Sequence, residues 1–95
     1  MALQNVSLTS SGPSPATLTV VPSDKVTFTN NMTTSTVLTL PQCFAGVKPD
    51  DTVTIAAGAT SPQYNVNGNP NNSYTYSYTA ASLTNTVQTG TIDVS

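Results

Sequence analysis

Along most of the chain, apolar and polar residues alternate one by one. Val6 and Leu8 flank Ser7 and precede Thr9, Leu18 and Val20 alternate with Thr17 and Thr19, and Val26 and Phe28 alternate with Thr27 and Thr29. The same period returns at Leu38 and Leu40, Val53 and Ile55, Tyr64 and Val66, the tyrosines 74, 76 and 78, and Ile92 and Val94. Successive side chains of a strand point to opposite faces, so a period of two predicts strands with one face inward and one in solvent. Turn formers separate these runs: SGPSP, PSD, NNMTTS, AAGATSP, and Asn67-Gly68 extended by NPNNS. The stretch PQCFAGVKPDD has no such period and is read as irregular, with room for one helical turn.

The result is about eight short strands at 8–12-residue spacing, the signature of a β-sandwich. No helical period is sustained, and no linker or repeat appears. Residues 1–95 therefore read as one all-β domain, a Greek-key sandwich of seven to eight strands. The first segment stands apart. Ala2–Thr9 reads as a strand but is cut off by SGPSP, so residues 1–11 are expected to form an N-terminal strand that can pair at home or be exchanged onto a neighbouring copy. Leu3, Val6 and Leu8 are its assembly residues.

Composition narrows the function. Only 6% of residues are charged, against about 25% in an average soluble domain. The charged set is Asp24, Lys25, Lys48, Asp50, Asp51 and Asp93, with no Arg, Glu or His. Two lysines and a net charge of -2 cannot neutralise a run of phosphates, which argues against nucleic acid and against a basic membrane-surface patch. No apolar run approaches the roughly 20 residues of a spanning helix. The opening MALQNVSLTS has no basic segment and no apolar core, so it is not read as a signal peptide. Thr, Ser and Asn number 18, 11 and 9, together 38 of 95 residues. This near lysine-free, hydroxyl-rich composition fits an extracellular, cell-surface or particle-surface protein.

Catalytic machinery is hard to assemble. A serine or cysteine nucleophile usually needs a His or Lys base, and the chain has no His. Asp50-Asp51 reads as a solvated turn after Lys48-Pro49. Lys25 and Asp93 are the conceivable partners of an isopeptide bond, but no Glu assists them. Repeated T-x-T units stand at Thr17/Thr19, Thr27/Thr29, Thr34/Thr36, Thr52/Thr54, Thr84/Thr86 and Thr89/Thr91. A flat array of that kind would suit ice, but sandwich sheets twist, and these units are read as solvent faces of good strand formers. The single Cys43 has two readings: a buried small hydrophobe, or an intersubunit thiol.

Three segments together carry a resemblance. SDKVTFTNNMTTSTVLTLP resembles the part of plastocyanin-like cupredoxins where a V-x-F-x-N strand leads to the loop bearing the first copper histidine. AGATSPQYNV is similar to their A-G-x-T-x-x-x-x-V segment, and YTYSYT with TGTIDV is similar to their ending. The similarity runs from about Pro22 to Val94. It implies a cupredoxin-like sandwich whose copper ligands are gone. The ligand positions fall at Thr36 for the first histidine, Tyr78 for the cysteine, near Ala81 for the second histidine and near Gln88 for the axial methionine. A trigonal copper site needs two imidazoles and a thiolate, so no metal and no other cofactor is expected.

In the family pattern Tyr74, Tyr76 and Tyr78 point inward. Tyr78 is read as filling the vacated metal pocket with ring carbon, the alternative being an aromatic platform for sugar. The function expected is that of a non-catalytic, metal-free structural subunit that assembles with its own copies into a filament, surface array or virus-like particle. The alternative is a carbohydrate-binding or adhesive module, with a glycan held by the Asn-rich loops at 30–35 and 67–73.

Overall fold

The structure, a computed structural model, describes residues 2–83 and 86–95. Nine strands occur among them. They are β1 (Leu3–Thr9), β2 (Gly12–Ser14), β3 (Thr17–Val20), β4 (Lys25–Asn30), β5 (Thr36–Thr39), β6 (Thr52–Ile55), β7 (Tyr64–Asn65), β8 (Asn72–Ala80) and β9 (Gln88–Val94). Eight match the alternating runs. The ninth is β2, inside the SGPSP segment expected to break the chain. Its Gly12 and Pro13 pair with Thr9 and Leu8. Proline is tolerated there because β2 is an edge strand.

Two sheets face each other, in the orders β2-β1-β4-β7 and β3-β9-β8-β5-β6. β1 runs parallel to β4 from Leu3 opposite Lys25 to Leu8 opposite Asn30, and β3 runs parallel to β9. The remaining strand pairs are antiparallel. The inward side chains form one core, in which Val6, Leu8, Val26, Phe28, Leu38 and Ile92 are wholly buried. Each is worth about 1.5–3 kcal/mol of hydrophobic stabilisation when fully covered. An aromatic cluster ties the sheets together. Phe28 meets the edges of Tyr76 and Phe44 at 5.3 and 6.1 Å, and Phe44 stacks on Tyr64 at 5.2 Å.

The segment 41–51 contains no helical turn. Gly46 adopts φ 79 and Asp50 φ 65, which interrupt any helix, while Phe44 bridges to Val66 and enters the core. The helical turn among the described residues is instead a short 3-10 segment, Ala81–Leu83, whose Leu83 is buried.

β1 is not an appendage. It lies between β2 and β4, Val6 and Leu8 are wholly buried, and Leu3 is 59% exposed. Asp24 clips its start to the β3–β4 turn. One carboxylate oxygen accepts the Ala2 N–H at 2.8 Å and the other the Val21 N–H at 3.1 Å. Removing β1 would bare one side of β4 and hollow the core. Exchange between copies would therefore be a swap of a core strand, not the addition of a spare one.

Candidate functional site

β8 presents Tyr74, Tyr76 and Tyr78 to one face, with Thr75, Ser77 and Thr79 on the other. Tyr78 stands opposite Leu38 on β5 and Gln88 on β9, and Thr36 stands opposite Ala80, next to Ala81. The four positions matched to copper ligands thus gather at one end of the five-stranded sheet.

The polar side chains at three of these positions are already engaged. The Tyr78 ring is 1% exposed and crosses between the sheets, and its hydroxyl donates to the Thr9 carbonyl at 2.7 Å. Thr36 is wholly buried, and its Oγ1 donates to the Thr79 carbonyl at 2.8 Å. Gln88 Nε2 donates to the Ser10 carbonyl at 3.2 Å, and the Ala81 methyl faces solvent. A phenol, a hydroxyl and an amide, all donating to carbonyls, do not fit a copper ion, which takes imidazole and thiolate here. Among the described residues no group of three His, Cys, Asp or Glu converges. Cys43 lies at the other end of β8. Gly68 is wedged there, where an added Cβ would come within 2.9 Å of the Tyr74 ring and 3.0 Å of Cys43 Cβ.

Burial raises the Tyr78 hydroxyl above its ordinary pKa, and the Thr9 bond opposes that. Tyr76 lies deeper within the core. Its hydroxyl is buried without a hydrogen-bond partner, against Gly90 and Pro13. Burial first, and Tyr78 second, push its pKa up. Tyr74 is half-buried, and its hydroxyl accepts the Asn69 N–H at 3.0 Å. Neither Tyr76 nor Tyr78 has an exposed ring to serve as a sugar platform. Tyr76 and Tyr78 are core, and Tyr74 packs against it.

Cys43 is buried, and burial pushes its thiol up to about 11. A bond to a second chain would require the 41–51 segment to open. In the 30–35 loop, Asn30 serves the fold. Wholly buried, it donates to the Thr34 and Ile55 carbonyls and accepts the Met32 N–H, each at 2.9 Å. Lys25 lies on the four-stranded sheet, while Asp93 faces outward from the five-stranded one with its carboxylate on the Ser73 hydroxyl, so the isopeptide pair does not meet. Asp51 accepts the Lys48 N–H at 2.8 Å and closes its turn.

One feature of the surface escaped the sequence reading. The outer face of the five-stranded sheet is almost entirely hydroxyl, in four cross-strand rows: Thr19–Asp93–Ser73, Thr17–Thr91–Thr75, Thr89–Ser77–Thr39–Thr52, and Thr79–Val37–Thr54. Three of the T-x-T units join on this face. Thr27/Thr29 lie on the other sheet, and Thr84 lies outside the described residues. The units are visible in the sequence, but their convergence depends on strand order.

No protein-family model matches the chain, and no curated protein matches it. Solved structures do. A reduced Cu(I) form of an amicyanin variant superposes with a TM-score of 0.63 at 16% identity, over 96% of this chain and 80% of that one. An oxidised form of another amicyanin variant gives 0.63 at 18% identity, with the same coverage. A pseudoazurin from Sinorhizobium meliltoi gives 0.62 at 17% identity, over 100% of this chain and 75% of that one. The fold is cupredoxin-like, with β1 included, and the chain lacks the ligands for copper.

Proposed function

We propose that the chain is a non-catalytic, metal-free structural subunit that assembles with its own copies into an extracellular filament, surface array or virus-like particle. One observation carries the reading. The five-stranded sheet ends on β3, TLTV, and on β6, TVTI, neither of which holds a charged residue. Soluble sandwiches commonly guard such edges with lysine or other charge.

The strand directions support head-to-tail contact. β9 is parallel to β3, and each step from β9 through β8 and β5 to β6 reverses direction. β6 therefore runs opposite to β3. Translating one copy across the sheet sets its β3 antiparallel beside the neighbour's β6, a heterologous contact that does not close. Four-residue edges supply about four main-chain bonds at 0.5–1.5 kcal/mol each. That total, about 2–6 kcal/mol, reaches only the low end of the roughly 4–15 kcal/mol association cost, so apolar burial must add to it. Val21, 46% exposed, directly follows β3 and is suited to that role.

The test is a lysine placed on each edge. Thr19→Lys and Thr54→Lys should both leave a folded monomer and abolish polymer in negative-stain electron microscopy. Polymer that survives both substitutions rules out edge pairing.

A further inference from the structure

Between the turn after β3 and the edge strand β7, away from the Tyr78 end, lies a pocket of about 520 Å³ lined by Pro22, Ser23, Lys25, Ala45, Asn65, Val66 and Asn67. That volume is within the range of about 300–1,000 Å³ usual for small-molecule sites. Its walls come from three segments lashed together by main-chain bonds. Ser23 N donates to Val66 O, Val66 N to Asp24 O, Ala45 N to Asn65 O and Asn67 N to Cys43 O, at 2.6 to 3.1 Å. The pocket is preformed.

Its chemistry is specific. Lys25 is the one charged side chain in the lining. The neighbouring Asp24 carboxylate is turned onto the Ala2 and Val21 N–H groups, so it leaves the Lys25 ammonium free for a direct contact. Lys25 makes no ion pair among the described residues. Ser23, Asn65 and Asn67 add a hydroxyl and two amides, and Pro22, Ala45 and Val66 supply apolar surface.

We infer that this pocket binds a carboxylate-bearing sugar unit, a uronic acid, with the carboxylate on Lys25 and the ring hydroxyls on Asn65, Asn67 and Ser23. One cation matches one carboxylate, whereas a phosphate dianion would keep an unpaired charge. The hydroxyl and two amides beside Lys25 match the ring hydroxyls of a uronate, which a plain alkyl carboxylate lacks. The inference gives the glycan-binding alternative a defined place, and it stands independently of edge assembly, which uses other residues.

The experiment is an amide-resolved NMR titration of the full chain with sodium glucuronate, glucose, acetate and phosphate at constant ionic strength. Glucuronate should give saturable shifts at Ser23, Lys25, Asn65 and Asn67, with glucose and acetate at least about tenfold weaker. Lys25→Met and Lys25→Gln should each weaken glucuronate by about tenfold or more, as loss of one charge-assisted bond does, at an unchanged melting temperature. Should one variant unfold, the other decides. The proposal fails if glucuronate shifts do not saturate or map elsewhere, or if both folded lysine variants bind like wild type. It also fails if acetate or phosphate binds as tightly as glucuronate.

Discussion

Tyr76 and Tyr78 are two residues apart on one strand, with similar burial, and differ in one respect. The Tyr78 hydroxyl has a partner at 2.7 Å, and the Tyr76 hydroxyl has none. Removing each oxygen should therefore act in opposite directions. Tyr78→Phe removes the bond to the half-buried Thr9 carbonyl, a loss of about 0.5–1.5 kcal/mol. Tyr76→Phe removes a desolvated group that gains nothing in return. It should stabilise the fold by up to about 1–3 kcal/mol. For a domain of this size 1 kcal/mol moves the melting temperature by about 4–8 °C, so the two variants should separate clearly. Thermal and urea unfolding followed by circular dichroism gives both midpoints. If Tyr76→Phe lowers the midpoint as far as Tyr78→Phe does, the Tyr76 hydroxyl has a partner after all and the argument is wrong.

Three further outcomes follow from the same geometry. Gly90→Ala should destabilise strongly, because its Cβ would collide with the Tyr76 ring and come within 2.8 Å of Pro13 Cγ; an unchanged urea midpoint would contradict this. Stability should be flat from about pH 4 to pH 9. Asp24, held below the ordinary carboxylate value of 3.8 by the Ala2 and Val21 N–H groups, stabilises above that value and loses its contribution as pH falls through the lower folded pKa. Cys43, raised from 9.0 to about 11, stabilises below 9.0 and loses its contribution as pH rises through that window, and the raised tyrosines act likewise above 10.0. A stability optimum confined to pH 6–7 would refute that assignment. Finally, Cys43 should react with a thiol reagent only on unfolding, and Cu(II) should give no intense thiolate-to-copper band; fast labelling of the native protein, or such a band, would overturn the burial argument.

Much of this was legible because the alternation is unusually clean. Val26, Phe28 and Ile92 declare their inward faces, and the order of three motifs indicated a cupredoxin-like sandwich. Phe44 was not legible, since it enters the core from an irregular segment held by its bridge to Val66. β2 was hidden because Gly12 and Pro13 look like a break, and only an edge position lets proline pair. Tyr78 could be assigned inward, but its partner Thr9 is 69 residues away, a distance no local pattern spans. The Lys25 pocket is likewise assembled from three separate segments, two of them turns.

Sedimentation velocity of the full-length protein, over a wide range of concentration and salt, tests the assembly claim most directly. The account predicts concentration-dependent growth beyond the 9.8 kDa monomer, little weakened by salt because the edges carry no charge. A single monomeric species at every concentration and salt would contradict it.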